Sequence, residues 1–309
     1  MKQNLILILL SLLFSIGIYA QSKSSSAPKS FKIDPNAVQE EQVEPTLHYK
    51  SDVDFNVPLS SKTKTDTWVL IIANEVYIDE ETENVSYALN DGSMFKEYCE
   101  KTLGIPETMI RYCPNASYGI MIGAVDWLVY ALNNFSNTSA IVYYSGHGIP
   151  HEKTKEAFLL PVDGKSKNTT TCYSLKKLYN TLAETNAQVT YFIDACFTGA
   201  TRSGTMLLKQ RGVAIAPGRE SLMGKTVVFS ASAGDETAMP LETQGHGLFT
   251  YYLLKKMQET EGKVTYGELA NYIFENVKND AFKLNHKPQT PVVDASPAVN
   301  STWRNMKLK

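Results

Sequence analysis

From Trp68 onward, short apolar runs alternate with longer amphipathic segments, and this alternation indicates the fold class. The runs have strand length and few polar residues, which is typical of strands buried on both faces: TWVLIIAN, TMIRYC, SAIVYYS, QVTYFID and KTVVFSAS. The other segments carry apolar residues at helical spacing: SYALNDGSMFKEYCEKTLG, GIMIGAVDWLVYALNNF, SLKKLYNTLAET, GLFTYYLLKKMQE and TYGELANYIFENVKN. Strands that alternate with helices predict an α/β fold with a mostly parallel sheet that is covered on both faces.

The N-terminal region lacks this pattern and divides into two parts. Residues 1–20 have the layout of a secretory signal peptide, with Lys2 before an apolar run and small residues at its end. The alternative is an uncleaved membrane anchor, although the run is short for a membrane span. Residues 21–66 are rich in Ser, Lys, Pro and acidic residues without apolar periodicity, so we interpret them as a linker or pro-segment. We therefore expect an exported protein, periplasmic or extracellular, that has no membrane contact after signal removal.

Charge and cysteine content exclude several classes of protein. A formal charge of -2 gives no basic surface for nucleic acid. The four cysteines, Cys99, Cys113, Cys172 and Cys196, are too few for a disulfide scaffold. If Cys196 is a thiol, at most one disulfide can form among the other three. The sequence has neither metal-site spacing of Cys and His nor a glycine-rich phosphate loop, so we expect no metal or other cofactor.

Two predicted strands end in residues that can react with a substrate: IVYYSGHGIP ends on His147, and YFIDACFTGA ends on Cys196. In parallel sheets, ligands bind at the carboxyl ends of strands, and neighbouring strands lie only about 4.8 Å apart. A cysteine nucleophile needs a base such as imidazole, so we expect a Cys196–His147 dyad in one cleft. The backbone N–H groups of Gly148 and Cys196 would form the oxyanion hole. The alternative for Cys196 is a small buried apolar residue.

The remaining histidines fit other roles. His246, in QGHGLFT, has the same Gly-His-Gly triplet but precedes a predicted helix, so we expect it at the start of that helix and not as the base. Three more lie in polar surroundings and are expected to be solvated: His48, His151 and His286.

The segments YYSGHG and DACFTG together resemble the caspase/metacaspase family of cysteine peptidases. His147 precedes Cys196 by 49 residues, close to the spacing of about 50 in caspases. WVLIIAN, YALND and VVFSASAGDETA are similar to further parts of the family in the same order, so the resemblance spans about residues 67–294. It implies a three-layer αβα sandwich with a six-stranded, mostly parallel sheet whose last strand is antiparallel.

The resemblance also implies a division of the chain. The peptidase domain would span residues 67–295 and precede a C-terminal tail at 296–309. Within it, a large-subunit part at 67–200 and a small-subunit part at 226–295 would flank a linker at 201–225. Metacaspases are usually monomers, so we expect a monomer.

The same resemblance implies a preference for a basic residue before the cleaved bond. Caspases that cleave after Asp carry Gln at the position of Asp194, whereas metacaspases carry Asp there. By the family's motif, Asp194, Asp91 and Ser145 would form the S1 pocket, which would select Arg or Lys through charge-assisted hydrogen bonds. The alternatives are a helix N-terminal role for Asp91 and a turn-forming role for Asp194. Asp235 and Glu236 follow the next strand and could also touch the substrate.

Two further expectations concern the segment after Cys196, FTGATRSGTMLLKQRG. It contains no Asp or Glu, and Asp163 alone cannot supply the oxygen ligands of Ca²⁺, so we predict no calcium requirement. An enzyme specific for basic residues could cleave itself in this region, at Lys209, Arg211 or Arg219, unless the loop is merely a solvated basic one. The N-terminal segment could likewise be removed at Lys50, Lys62 or Lys64.

These observations predict an exported cysteine endopeptidase that cleaves peptides or proteins after Arg or Lys. A second interpretation keeps the dyad but gives the pocket a preference for Asp or Asn. A third is a catalytically silent caspase-like interaction module, although both dyad residues are present. A fourth, a flavodoxin-like binding domain, shares the alternation but gives no reason for Cys and His at paired strand ends.

Overall fold

A computed structural model describes residues 51–309 except residues 137, 152, 199–221 and 235. The predicted signal peptide, residues 21–50 and most of the predicted linker at 201–225 lie outside the described residues. The strands, numbered in chain order, are β1 (Thr67–Ala73), β2 (Ile110–Pro114), β3 (Ser139–Ser145), β4 (Gly148–Pro150), β5 (Ala157–Leu159), β6 (Tyr173–Ser174), β7 (Gln188–Asp194), β8 (Lys225–Ser230), β9 (Pro240–Leu241), β10 (His246–Gly247) and β11 (Val292–Ala295). The helices are α1 (Ala88–Lys101), α2 (Tyr118–Asn134), α3 (Leu175–Ala183), α4 (Leu248–Thr260) and α5 (Tyr266–Asn285).

Six strands form the central sheet in the described part of the chain, in the order β2-β1-β3-β7-β8-β11. The first five are parallel, and β11 runs antiparallel to β8. The predicted fold class is confirmed, including the antiparallel last strand. Each of the five parallel strands matches one apolar run of the sequence, because a strand buried on both faces needs apolar residues throughout.

Successive side chains of each strand face opposite helical layers. On one face, Phe95 of α1 stacks on Tyr143 of β3 with ring centroids 4.5 Å apart, and α4 and α5 complete the same core. On the other face, Leu70, Tyr144 and Ile193 pack with α2 and α3. The sheet therefore separates two apolar cores, as the three-layer prediction requires.

Polar caps explain where three of the helices begin. Ser117 accepts a hydrogen bond from the third residue of α2, and Ser174 does the same for α3. Thr265 and Glu268 form a reciprocal capping box at the start of α5. By contrast, Gly247 precedes α4 without a side-chain cap, so the first N–H groups of α4 need partners from elsewhere in the molecule.

Both ends of the described chain contribute more to the core than the sequence pattern predicted. Residues 21–66 were expected to lie outside the core, yet Val53 and Val57 are buried in the core that contains α1 and α4. The expected C-terminal tail at 296–309 buries Trp303 and Leu308 in the same core. The difference arises because isolated apolar residues in irregular segments pack well without producing any periodic pattern.

A small antiparallel sheet of β4, β5 and β6 was also not predicted. It pairs Gly148 with Leu159 and so fixes the chain directly after His147. Its strands have only two or three residues, too few for an alternation of polar and apolar side chains to be recognised. Among the described residues, no helix has the length and apolar character needed to cross a membrane.

Candidate active site

The ends of β3 and β7 bring four of the predicted site residues to one edge of the sheet. Ser145 lies opposite Asp194 in the parallel register of the two strands. His147 and Cys196 each follow two residues later. The backbone N–H of Gly146 donates a hydrogen bond to the carbonyl of Asp194 at 3.3 Å, which ties the two chain segments together where they leave the sheet.

His147 is held by several hydrogen bonds and is only 3% exposed. Its backbone N–H donates to the Tyr77 hydroxyl at 2.9 Å, and its carbonyl accepts from the Tyr144 hydroxyl at 2.7 Å. Its Nε2 lies 2.7 Å from the backbone carbonyl of Glu83. A carbonyl can only accept, so Nε2 carries the proton, and the neutral ring then has its lone pair on Nδ1. The sequence predicted none of these three partners, and a backbone carbonyl in particular leaves no mark in the residue type.

Cys196 lies in the first residues after β7 and is 4% exposed. The backbone N–H of Ala238 donates a hydrogen bond to its Sγ at 3.0 Å. The same Sγ lies 3.6 Å from the carbonyl of Ala238, to which a thiol can donate, so the backbone of Ala238 offers a partner to the thiolate and to the thiol.

Gly148 packs directly against the cysteine loop. A Cβ atom at Gly148 would lie 2.5 Å from the carbonyl oxygen of Cys196 and equally close to the ring of Phe197. Only glycine allows this approach of the two backbones. The contact joins the two segments that carry the predicted oxyanion-hole donors.

Asp91, in the first turn of α1, is fully buried and is bound by the start of α4. Its carboxylate accepts from the N–H of Gly247 at 3.1 Å, from Nδ1 of His246 at 2.8 Å and from the Ser145 hydroxyl at 3.4 Å. The carboxylate thus binds the N–H of the residue that precedes α4, at the positive end of the helix dipole, whereas the N–H of Leu248 donates to the carbonyl of Met239. Asp91 therefore lies in the first turn of α1 and beside the start of α4.

His246 lies between two carboxylates. Its other ring nitrogen, Nε2, is 2.9 Å from Oδ1 of Asp54, and its side chain is fully buried. Burial alone would lower the pKa of His246, but the hydrogen bonds to Asp54 and Asp91 outweigh burial and raise that pKa to about 9. At neutral pH the ring is a cation that links the two acids. His246 lies directly before a helix, as predicted, but its contact with Asp91 was not.

Asp194 is also bound by α4. The Thr250 hydroxyl donates to its Oδ2 at 2.6 Å, and the Tyr143 hydroxyl lies 2.7 Å from Thr250. Since Thr250 has a single proton and donates it to the carboxylate, Tyr143 must be the donor to Thr250. The two carboxylates predicted for the S1 pocket, Asp91 and Asp194, therefore both bind residues at the start of α4. In the sequence, the segment QGHGLFT marked this helix start but not its contacts with the two acids.

The weaker candidates have separate partners. Glu236 accepts a hydrogen bond from the Thr290 hydroxyl at 2.9 Å, and Asp163 accepts from the N–H of Tyr118 at 2.7 Å, near the start of α2. His286 is exposed, and His151 is partly exposed. The remaining candidates lie outside the described residues: His48, Lys50, Asp235 and the predicted self-cleavage sites Lys209, Arg211 and Arg219.

The four cysteines are all buried, and none forms a disulfide. Burial raises the pKa of Cys172 to about 11 and also raises the pKa values of Cys99 and Cys113, which disfavours their thiolates. In the part of the chain that the structure describes, no group of three or more His, Cys, Asp or Glu side chains is arranged to hold a metal ion.

A cavity of about 260 Å³ lies beside the cysteine loop, between α3 and the β8–β11 edge of the sheet. Its lining includes Phe197, Tyr179, Ser232 and Asp294 but none of the residues predicted for the dyad or the S1 pocket. We therefore do not assign this cavity to the S1 pocket, whose predicted carboxylates lie on the side of α4.

Comparison with known proteins identifies the family. The model of the caspase domain family matches residues 66–300. A protein from Geobacter sulfurreducens has a similar structure, with a TM-score of 0.54 and 15% identity over 79% of this chain and 100% of that chain. Caspase-1 from Spodoptera frugiperda is similar with a TM-score of 0.52 and 14% identity over 77% of this chain and 89% of that chain. At these identities the two structures support the fold alone. Among curated proteins, none matches this chain significantly.

Proposed function

The chain belongs to the caspase domain family of cysteine peptidases, and from this we propose that it is an endopeptidase that cleaves proteins or peptides after Arg or Lys. The observation that carries the proposal is the register of β3 with β7, which pairs Ser145 with Asp194. Both strands end two residues before the imidazole and the thiol that the reaction needs.

In the proposed reaction, Nδ1 of His147 accepts the proton of Cys196, and the sulfur attacks the carbonyl carbon of the substrate. The oxyanion that forms is stabilised by the N–H groups of Gly148 and Cys196. His147 then gives its proton to the leaving amine, and water hydrolyses the thioester by the same route in reverse. The hydrogen bond from Nε2 to the carbonyl of Glu83 supports this role, because it orients the ring and leaves Nδ1 as the base.

The proposed preference for Arg or Lys is supported by the charges around the start of α4. Asp54, Asp91 and Asp194 contribute three formal negative charges, and His246 supplies one positive charge. Thr250 donates its hydroxyl proton to Asp194 but is neutral, so it does not offset the negative charge. The excess of negative charge favours a cationic side chain, which would gain charge-assisted hydrogen bonds on leaving water.

We further propose that the protein is exported, acts as a monomer and needs neither calcium nor another cofactor. Self-cleavage at Lys209, Arg211 or Arg219 is part of the same proposal. Export is supported by the layout of residues 1–20, and self-cleavage by the basic residues of the predicted linker. Among the N-terminal candidates, Lys62 is exposed, and Lys64 is bound to Asp66 at 3.0 Å.

The proposal is tested with matched fluorogenic peptides that carry Arg, Lys, Asp or Asn before the cleaved bond. The chain from residue 21 is assayed with and without added calcium, beside Cys196→Ala and Cys172→Ala. Cys172 is a matched control because it is an equally buried thiol that is not part of the predicted dyad. We expect turnover with Arg and Lys alone, a loss of at least about 10³-fold in Cys196→Ala, and little change in Cys172→Ala.

The other outcomes separate the competing functions. Turnover with Asp or Asn would keep the nucleophile and refute the basic preference. Absence of turnover with all four peptides, even after limited trypsin treatment, would favour the catalytically silent module. In that case a thiol-reactive peptide probe should also fail to label Cys196.

A further inference from the structure

We propose that Asp54 and His246 form a positioning pair that holds the Asp91 carboxylate in place for the basic side chain of the substrate. The inference rests on the proposed function and adds two residues to it. Neither residue was predicted for the pocket, and Asp54 precedes the region that matches the family, which begins at residue 66.

His246 bridges two carboxylates. Both of its ring nitrogens lie against carboxylate oxygens, Nδ1 at 2.8 Å from Asp91 and Nε2 at 2.9 Å from Asp54. A neutral imidazole has one N–H and can donate to only one acid, whereas an imidazolium donates to both. Asp54 therefore stabilises the protonated ring, which is the form that donates to both acids at once.

Asp54 is itself held firmly. It belongs to a short 3-10 helix, Asp52–Asp54, whose capping box uses the Asp54 carboxylate and the Ser51 hydroxyl. The Tyr98 hydroxyl donates to the carbonyl of Val53 at 2.8 Å, and the Val53 side chain is fully buried. We call residues 51–58 the N-terminal strap. Such anchoring fixes the position of a side chain in a way that a solvated loop would not.

Asp91 lies between two sets of partners. His246 and Gly247 bind it from the α4 side, and the Ser145 hydroxyl meets its Oδ2 from the side of β3. Ser145 and the neighbouring Asp194 are the other two predicted pocket residues. Without the hydrogen bond from His246 to Oδ1, the Asp91 carboxylate can rotate away from Ser145 and from the cationic side chain of a substrate.

The test compares Asp54→Asn with Asp52→Asn in the full chain. Asn keeps the size of Asp54 and an oxygen that can accept from Nε2, so the variant loses the charge and the capping-box acceptor of the Ser51 N–H. Asp52 is a matched control because it lies in the same 3-10 helix but pairs at the surface with Lys255 at 2.7 Å. We expect Asp54→Asn to raise KM for Arg and Lys peptides about tenfold with kcat nearly unchanged, and Asp52→Asn to stay within about twofold of wild type.

A second measurement keeps this inference separate from the proposed function. In the Cys196→Ala protein, nitrogen chemical shifts of His246 report whether its ring carries one proton or two. We expect the His246 ring to carry two protons up to about pH 9. When Asp54→Asn is added to Cys196→Ala, the ring should lose one of these protons at a lower pH. Absence of turnover in wild type would refute the proposed function, and these shifts would still support or refute the pair. An unchanged KM and an unchanged His246 titration in Asp54→Asn would overturn the inference.

Discussion

The hydroxyl of Thr250, in the first turn of α4, donates a hydrogen bond of 2.6 Å to the carboxylate of Asp194 at the end of β7. Three residues earlier in the chain, the N–H of Gly247 binds Asp91. One helix start therefore binds two buried carboxylates that come from different elements. Removing two acids from water is unfavourable unless each finds donors, and the N-terminal turn of a helix supplies them.

Thr250→Val removes the donor to Asp194 and keeps the shape of the side chain. We expect it to lower the free energy of unfolding by about 1.5–3 kcal/mol, because a buried carboxylate loses a short hydrogen bond. KM for Arg peptides should also rise. Thr250→Ser keeps the hydroxyl and serves as the control in urea unfolding and steady-state assays. If Thr250→Val changed stability but not KM, Asp194 would not contribute to substrate binding.

Gly148→Ala tests the contact between the two loops of the proposed dyad. The new Cβ would lie 2.5 Å from the carbonyl of Cys196, so one backbone must shift and the oxyanion donors move apart. We expect kcat/KM to fall by about 10²-fold or more. Gly123→Ala is the control, because a Cβ there meets nothing within 4 Å and α2 should gain stability. Near-normal turnover in Gly148→Ala would contradict the assigned oxyanion hole.

Tyr77→Phe tests how His147 is held. The Tyr77 hydroxyl accepts from the backbone N–H of His147, and the two rings lie 5.0 Å apart. Phe keeps the ring contact and leaves that buried N–H without this acceptor, at a cost of about 1–3 kcal/mol. We expect kcat to fall about tenfold or more with KM little changed. Tyr130→Phe, at an exposed position, should behave as wild type.

The pH dependence of stability should reveal the charge on His246. Its pKa is raised in the folded protein to about 9 from an ordinary value near 6.5. A raised pKa stabilises the fold below about pH 6.5, and that stability is lost as the pH rises through 9. The charged groups that face His246 are Asp54 from the strap and Asp91 from α1, both acids. We expect a loss on the order of 2 kcal/mol between pH 6.5 and 9.5 in urea unfolding.

Asp54→Asn should flatten this profile, because it removes one of the two charges that raise the pKa. The stability of Asp52→Asn should keep the wild-type dependence on pH. A wild-type profile that stayed flat over the interval would show that the ring is neutral in the folded protein.

Two buried tyrosines on the central sheet should respond differently to loss of their hydroxyl groups. Within the described residues, the Tyr191 hydroxyl has no hydrogen-bond partner, whereas the Tyr143 hydroxyl donates to Thr250. Tyr191→Phe should be neutral or stabilising, and Tyr143→Phe should cost about 1 kcal/mol or more. Thermal unfolding of the two variants measures the difference. Equal losses would indicate an unseen partner for Tyr191.

The sequence was sufficient to predict the sheet and the edge where the candidate residues meet. Strands buried on both faces are recognisable as apolar runs, and parallel strands end at the same edge of a sheet. The juxtaposition of Ser145 with Asp194 follows from these two facts. The antiparallel last strand was expected only from the family resemblance.

The partners of the site residues could not be predicted in the same way. The contact of His147 with Glu83 uses a backbone carbonyl, which every residue has. The contact of His246 with Asp54 depends on how α4 and the strap pack, and both lie far apart in the sequence. Asp54 itself stands in a stretch without apolar periodicity, which we interpreted as a linker or pro-segment. Helical periodicity predicts a buried face but not which neighbour that face meets.

The contacts at the start of α4 also determine how self-cleavage would divide the pocket residues between two fragments. Asp91 and Asp194 belong to the part of the chain before the predicted linker, whereas His246, Gly247 and Thr250 follow it. A cut in the linker would thus leave the acids of the pocket on one polypeptide and their α4 donors on the other. The two fragments would stay joined through the central sheet, where β7 pairs with β8, and recognition of basic residues would require both.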